Sequence, residues 1–116
     1  MSLLDIELLK SNCADDEAMM LEMLTMGLQS LGNSISGLHT SLKDEDWDTL
    51  ARILHKLRPV LCYCGITDLT DELLEIEQNA KQRNDLDNVK IQINKMALKL
   101  EEAETEIKTQ MSSLSK

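Results

Sequence analysis

Residues 21–42, "LEMLTMGLQSLGNSISGLHTSL", carry apolar side chains at alternating intervals of three and four residues. This spacing places the apolar side chains on one stripe of an α-helix and indicates a helix that is buried along that stripe. The stripe consists of Leu21, Leu24, Leu28, Leu31, Ile35, Leu38 and Leu42. We expect the helix to begin near Asp15 or Asp16, because acidic side chains suit the positive end of a helix dipole.

Three more stretches, within residues 50–64, 66–80 and 86–107, repeat this spacing, and short loops separate them. Short loops favour antiparallel neighbours, so the sequence predicts an all-α protein, an antiparallel up-down four-helix bundle. A short extra N-terminal helix is possible within residues 3–11. The alternative is a long helical hairpin or coiled coil that completes its core by dimerising.

Polar residues and one glycine mark the expected helix ends. Asp44 or Asp46 can cap the second helix, and Gly65 can end it in a left-handed conformation. Thr67 or Asp68 can cap the third helix.

The chain has the size of a single domain, since 116 residues with 42% hydrophobic content can bury one modest core. We expect one domain over residues 1–116. Within it, residues 1–14 form an N-terminal arm or short helix, residues 15–110 the bundle, and residues 111–116 a polar tail that frays.

The net charge of −9 argues against nucleic acid or an anionic membrane as the partner, because neutralising phosphates needs a basic excess. The sequence lacks an apolar run of the roughly 18 residues that a membrane span needs, and its start does not resemble a signal peptide. Three cysteines without framework spacing agree with a reducing compartment. We therefore expect a cytoplasmic protein.

The sequence around the two histidines does not indicate a metal centre. Di-iron bundles need a glutamate three residues before each ligating histidine, but Ser36 precedes His39 and Arg52 precedes His55 at that distance. His39 has few basic neighbours, so we interpret it as a surface or capping residue. Among the cysteines, we expect Cys64 in the core, Cys62 on the surface and Cys13 without a particular role.

His55 lies on the opposite side of its helix from the apolar stripe, about 140° away, and should be exposed. Its expected neighbours on that surface are Ala51, Arg52, Arg58, Pro59 and Cys62. Residues 52–58 contain Arg52, Lys56 and Arg58 but no acid. A neutral imidazole beside cations can accept a phosphoryl group. The alternative is a surface histidine without a role.

Residues 54–80, "LHKLRPVLCYCGITDLTDELLEIEQNA", resemble the histidine phosphotransfer (HPt) domain. The matching positions are His55, Leu57, Arg58 in the place of a lysine, Cys62 as a small residue, Gly65 ten residues after the histidine, Leu69 and the run "ELLEIE". The resemblance implies a phosphorelay module in two-component signalling. His55 would accept a phosphoryl group from the aspartyl phosphate of one receiver domain and pass it to the aspartate of another.

The same resemblance implies a phosphoryl carrier without catalysis of its own. The receiver would supply the aspartate, Mg²⁺ and most catalytic groups, so we expect no cofactor in this chain. Arg58, Lys56 and Arg52 would hold phosphoryl oxygens. The expected receiver-docking residues are Ala51, Pro59, Cys62 and Gly65.

Pro59 occupies a position where the family usually has glycine. A proline lacks the N–H that would bond the carbonyl of His55, so we expect a kink and a free carbonyl there. Either the partner receivers are shaped for this proline, or the domain has lost transfer activity. The remaining alternatives are a helical interaction module without phosphorylation and the dimeric phosphoacceptor module of a histidine kinase. We expect the chain to be a monomer. It could also be one domain of a hybrid sensor kinase.

Overall fold

A computed structural model describes residues 2–114, and it is helical throughout, without strands in that range. The five helices are α1 (Ile6–Asn12), α2 (Glu17–Lys43), α3 (Trp47–Tyr63), α4 (Thr70–Lys81) and α5 (Leu86–Leu114). The predicted all-α class and the additional N-terminal helix are both confirmed.

The four long helices form a closed ring, in which α2 packs on α3, α3 on α4, α4 on α5, and α5 returns to α2. Their connections are short, as an up-down bundle requires. The longest dimension, 45 Å, is close to the length of α5 alone, since 29 helical residues span about 43 Å. The predicted four-helix bundle is therefore confirmed. Between residues 2 and 114, no helix combines the length and apolar character needed to cross a membrane.

The predicted apolar stripes form most of the core. Most stripe residues are fully buried, while Leu21, Leu28, Leu42 and Leu86 are partly buried at its edges. Cys64 is buried, as predicted, and Cys62 is exposed. Cys13, for which the sequence indicates no particular role, is completely buried where the end of α1 packs against the bundle.

Two predicted caps are confirmed and one is wrong. Asp16 accepts hydrogen bonds from the amides of Ala18 and Met19 at the start of α2, and Asp46 accepts one from Thr49 at the start of α3. For α4 we expected Thr67 or Asp68, but Leu69 occupies the capping position without a side-chain bond. Both Ile66 and Leu69 are buried, so core packing fixes this turn and delays the helix to Thr70.

The end of α5 also differs from the prediction. The helix continues to Leu114, past residue 110, because Met111 and Leu114 pack against the core. Residues 115 and 116 of the predicted tail, like Met1, lie outside the described residues.

The backbone N–H groups at the start of the N-terminal segment are hydrogen-bonded to the bundle at two places. Glu106 on α5 accepts hydrogen bonds from the backbone N–H groups of Leu3 and Leu4. The amide of Asp5 donates to the carbonyl of Gly65 at 2.8 Å. Gly65 adopts the predicted left-handed conformation, with φ of +87°, and a Cβ atom there would lie 2.6 Å from the carbonyl oxygen of Asp5. Close backbone approach therefore requires glycine at this position.

Candidate functional site

His55 lies on the outer side of α3 with 62% of its side chain exposed, which confirms the predicted exposure. It borders an open groove of about 640 Å³ between α3 and α4. The groove is lined by His55, Lys56, Arg58, Pro59 and Cys62 from α3 and by Thr70, Asp71 and Leu74 from α4. A macromolecular partner therefore has access to the imidazole and to the first turns of α4.

A buried carboxylate that was not predicted from the sequence lies beneath this groove. Glu77 on α4 is 3% exposed, and its Oε2 atom is 3.2 Å from Nδ1 of His55. Its Oε1 atom is 3.1 Å from Nη2 of Arg58, and Oε2 is 2.9 Å from Nζ of Lys81. His55 and Arg58 of α3 thus contact one acid on α4, which also pairs with Lys81 of its own helix.

The sequence contains a signal for Glu77. This glutamate follows Leu73 by four residues, which places it about 40° from that leucine on the buried stripe of α4. An acid on an apolar stripe is almost never fully buried unless it is paired. Its position therefore indicated a polar partner on a neighbouring helix, although it did not indicate which one.

Opposing effects determine the pKa of Glu77. Burial raises the pKa of this carboxyl group, whereas the hydrogen bond from Lys81 and the charges of Arg58, Lys81 and His55 lower it. The lowering effects are larger, so the pKa of Glu77 lies below its ordinary value. Glu77 is therefore a carboxylate at neutral pH.

The carboxylate decides which nitrogen of His55 carries the proton. Nδ1 lies 3.2 Å from Glu77 and also 3.2 Å from Nη2 of Arg58, but a guanidinium group can only donate. Nδ1 cannot accept from Arg58 while it donates to Glu77, and an ionised carboxylate only accepts. We assign the proton to Nδ1, because an unprotonated Nδ1 would direct its lone pair at the carboxylate oxygen of Glu77 3.2 Å away, while Arg58 is paired with Glu77. Nε2 is left with a free lone pair.

The predicted basic residues occupy three different situations. Lys56 is exposed and lines the groove. Arg58 also lines the groove, but only 25% of its side chain is exposed and its guanidinium pairs with Glu77. Arg52 is exposed and lies outside the residues that line the groove. His39 is exposed on α2, as expected for a surface residue.

Two expected docking positions are corrected by the structure. Ala51 is 1% exposed, because it lies about 60° from Leu54 and the buried face of α3 is wide enough to include it. Gly65 is buried against Asp5 and Leu9 of the N-terminal segment. Neither residue can meet a receiver on the groove surface, whereas Pro59 and Cys62 are exposed there.

Pro59 does not end α3, which continues to Tyr63. A proline has no backbone N–H, so the carbonyl of His55 lacks its usual intrahelical donor. The helix therefore lacks one backbone hydrogen bond, from residue 59 to the carbonyl of His55, next to the groove.

The described geometry agrees with the comparison to known families, in which the Hpt domain model matches residues 22–114. The chain belongs to the Hpt domain family. Hpt domains are phosphotransfer modules of two-component systems, they act as carriers rather than catalysts, and they interact with receiver domains.

A solved Hpt domain has a similar structure. It comes from an Hpt sensor hybrid histidine kinase of Shewanella, and it is 28% identical to this chain with a TM-score of 0.86. The alignment covers 98% of this chain and 97% of the Shewanella domain. A search of curated proteins gave no match.

Proposed function

We propose that this Hpt domain is a phosphorelay intermediate. His55 accepts a phosphoryl group from the aspartyl phosphate of one receiver domain and passes it to the aspartate of another. The observation that carries this proposal is the 3.2 Å contact between Nδ1 of His55 and buried Glu77. This contact orients an exposed imidazole and leaves Nε2 as the nucleophile.

The transfer step balances without moving a proton. The lone pair of Nε2 forms the bond to phosphorus, and the bond between phosphorus and the aspartyl oxygen breaks, so that the carboxylate leaves with its electron pair. Nδ1 keeps its proton throughout. The ring of His55 becomes cationic, and the adjacent carboxylate of Glu77 stabilises that charge.

Cations at the groove would receive the oxygens of the phosphoryl group. Lys56 lines the groove, and the structure describes no ion pair for it within residues 2–114. Arg58 also lines the groove but is paired with Glu77. Arg52 would act only at longer range. The receiver would supply Mg²⁺ together with its aspartate, and we propose no cofactor bound by this chain.

Receiver docking would use the open groove. Pro59 and Cys62 on α3 face Thr70 and Leu74 on α4 across it, so a receiver loop would meet a mixed apolar and polar surface around His55. Such an interface is small and transient, which suits a carrier that must release one partner before it meets the next. We also propose that the domain is a cytoplasmic monomer.

The similarity to a domain of a hybrid sensor kinase supports a place in a multistep relay that contains such a kinase. The second candidate function is a helical interaction module that is not phosphorylated. Pro59 is the observation that favours it, because the proline ring adds bulk next to His55 in the groove.

Phosphorylation of the purified domain tests the proposal. Wild type, His55→Gln and His39→Gln are incubated with phosphoramidate and, separately, with a phosphorylated receiver domain. His39 is the matched control because it is also exposed on a long helix of the bundle. We expect acid-labile phosphate on wild type and His39→Gln and none on His55→Gln.

Two results would contradict the proposal: an unlabelled wild type with both donors, or a His55→Gln variant that still accepts phosphate. The mass of the domain in solution provides a further check. A stable dimer would favour the phosphoacceptor module of a histidine kinase over the proposed monomer.

A further inference from the structure

The last turn of α3 lies between the groove and the N-terminal segment. It follows Pro59, where the helix lacks the hydrogen bond from residue 59 to the carbonyl of His55. It also carries Cys62, which forms part of the groove beside His55. The orientation of this turn therefore affects the surface that a receiver meets.

Asn12 supports this turn from outside the helix. Its Nδ2 group donates hydrogen bonds to the carbonyl oxygens of Cys62 and Tyr63, each at 3.2 Å. These carbonyls belong to the end of α3, where intrahelical donors run out. Asn12 thus supplies a donor to the carbonyl of Tyr63 and a second donor to that of Cys62, which also accepts from the amide of Gly65 at 3.1 Å.

The N-terminal segment that carries Asn12 is itself fixed to the bundle. Leu9 and Cys13 on either side of it are completely buried, and Asp5 bonds Gly65 just beyond α3. This N-terminal segment precedes residues 22–114, which match the family model. Asn12 therefore lies outside the matched region, whereas its partners Cys62 and Tyr63 lie inside it.

We propose that Asn12 is a positioning residue for phosphotransfer. It holds the last turn of α3, and with it the Cys62 side of the groove, in the orientation that a receiver requires. This inference rests on the proposed function of His55. It assigns Asn12 no contact with the phosphoryl group.

The absent hydrogen bond at Pro59 explains why the hydrogen bonds from Asn12 matter. With an N–H at residue 59, the helix would gain one hydrogen bond to His55 directly before its last turn and would be stiffer there. The contribution of Asn12 should therefore be large when residue 59 is proline and small when it is alanine.

The first measurement compares Asn12→Ala with Ser11→Ala, an exposed neighbour, as the matched control. Transfer from a phosphorylated receiver reports docking plus chemistry, and direct labelling by phosphoramidate reports the reactivity of His55 alone. For Asn12→Ala we expect kcat/KM with the receiver to fall about fivefold, the size of one lost hydrogen bond. Labelling by phosphoramidate should stay at the wild-type rate, and Ser11→Ala should behave as wild type in both assays.

The second measurement repeats Asn12→Ala in a Pro59→Ala background. We expect the loss with the receiver to shrink to less than about twofold, because the restored N–H holds the turn. An equal loss in both backgrounds would overturn the inference, since it would indicate that Asn12 contacts the receiver directly. An equal loss with receiver and phosphoramidate would overturn it too, since it would indicate general damage.

The two proposals fail in different ways. If wild type accepts phosphate but Asn12→Ala transfers normally, the positioning role is wrong and the phosphorelay function stands. If wild type accepts phosphate from neither donor, the phosphorelay function is wrong and the role of Asn12 falls with it.

Discussion

Glu77 and His55 are 22 residues apart in the sequence, and their side chains meet at 3.2 Å across the contact between α4 and α3. The carboxylate is almost completely buried, while most of the imidazole is exposed. Arg58 and Lys81 complete the environment of the acid. Three positively charged or protonatable groups therefore converge on one carboxylate in a chain whose net charge is −9.

Replacement of Glu77 should slow phosphorylation of His55. In Glu77→Ala, Nδ1 loses the acceptor that fixes its proton, and Arg58 loses its partner. We expect labelling by phosphoramidate to slow by about tenfold or more, the loss seen when the carboxylate that orients a metal-bound imidazole is removed. In Glu77→Gln the amide oxygen can still accept from Nδ1, so the loss should be smaller. Glu75→Ala, an exposed acid on the same helix, should react as wild type.

Nitrogen NMR of the imidazole separates this effect from a general loss of folding. The wild type should show a protonated Nδ1 and a free Nε2, whereas Glu77→Ala should show a mixture of the two neutral forms. An unchanged labelling rate in Glu77→Ala would contradict the orienting role.

Lys56 and Arg52 should contribute unequally to transfer, because Lys56 lines the groove and Arg52 lies outside it. We expect Lys56→Ala to lower kcat/KM with a phosphorylated receiver by about tenfold or more, the size of one hydrogen bond to a charged group. Arg52→Ala should change it by less than about twofold, as for an exposed charge in salt solution. Measurement of both variants at two salt concentrations tests this order, and a greater loss in Arg52→Ala would reverse the assignment.

Two glycines of α2 should respond oppositely to alanine. A Cβ atom at Gly27 would clash with Sγ of Cys64, whose side chain is buried in the core. At Gly32 the nearest atom would be Oε2 of Glu104 at 3.6 Å, an ordinary contact. We expect Gly27→Ala to lower the free energy of unfolding by about 1–3 kcal/mol, as overpacking does. Gly32→Ala should raise it by about 0.5–1 kcal/mol through helix propensity.

Urea unfolding of the two variants and wild type measures both free energies. Stabilisation by Gly27→Ala would show that α2 and α3 can separate at this point without cost.

Acid should loosen the N-terminal segment through Glu106. Burial raises the pKa of this carboxyl group, but hydrogen bonds from the Ser2 hydroxyl and from the amides of Leu3 and Leu4 lower it below its ordinary value. A lowered pKa in the folded state stabilises the protein above the ordinary carboxyl pKa of about 4.3. That contribution disappears as the pH falls through the folded-state pKa.

Glu106→Gln provides the comparison. At neutral pH we expect it to lower the free energy of unfolding by about 1–2 kcal/mol, since the amide is a weaker acceptor than the carboxylate. The difference from wild type should shrink between about pH 5 and pH 3. Glu102→Gln, an exposed acid one turn earlier on α5, should show no such convergence. A difference that stays constant with pH would contradict the role of the carboxylate.

The fold was predictable because it depends on spacing within each helix. The apolar stripe of α2 and the caps Asp16 and Asp46 are local features, and the structure has them where the sequence indicates. The start of α4 was not predictable in this way, since packing of Ile66 and Leu69 determines it. Likewise, Leu114 belongs to α5 because its side chain finds a place against the core.

The site was predictable only on the helix that carries His55. Its exposure and the presence of Lys56 and Arg58 beside it follow from one helix, and both are observed. Glu77 reaches His55 from another helix, and one sequence does not specify which face of α4 turns toward α3. Ala51 shows the same limit, because the width of the buried face depends on the neighbouring helix.

In the proposed relay, the hydrogen bond between Nδ1 of His55 and Glu77 would also assist the return step. If Nε2 carries the phosphoryl group, the proton held on Nδ1 keeps the imidazole a good leaving group. One fixed arrangement then serves both loading and unloading, and neither direction needs a separate acid or base. The direction of phosphoryl transfer would be set by the concentrations and phosphorylation states of the receivers. The Hpt domain itself would favour neither direction.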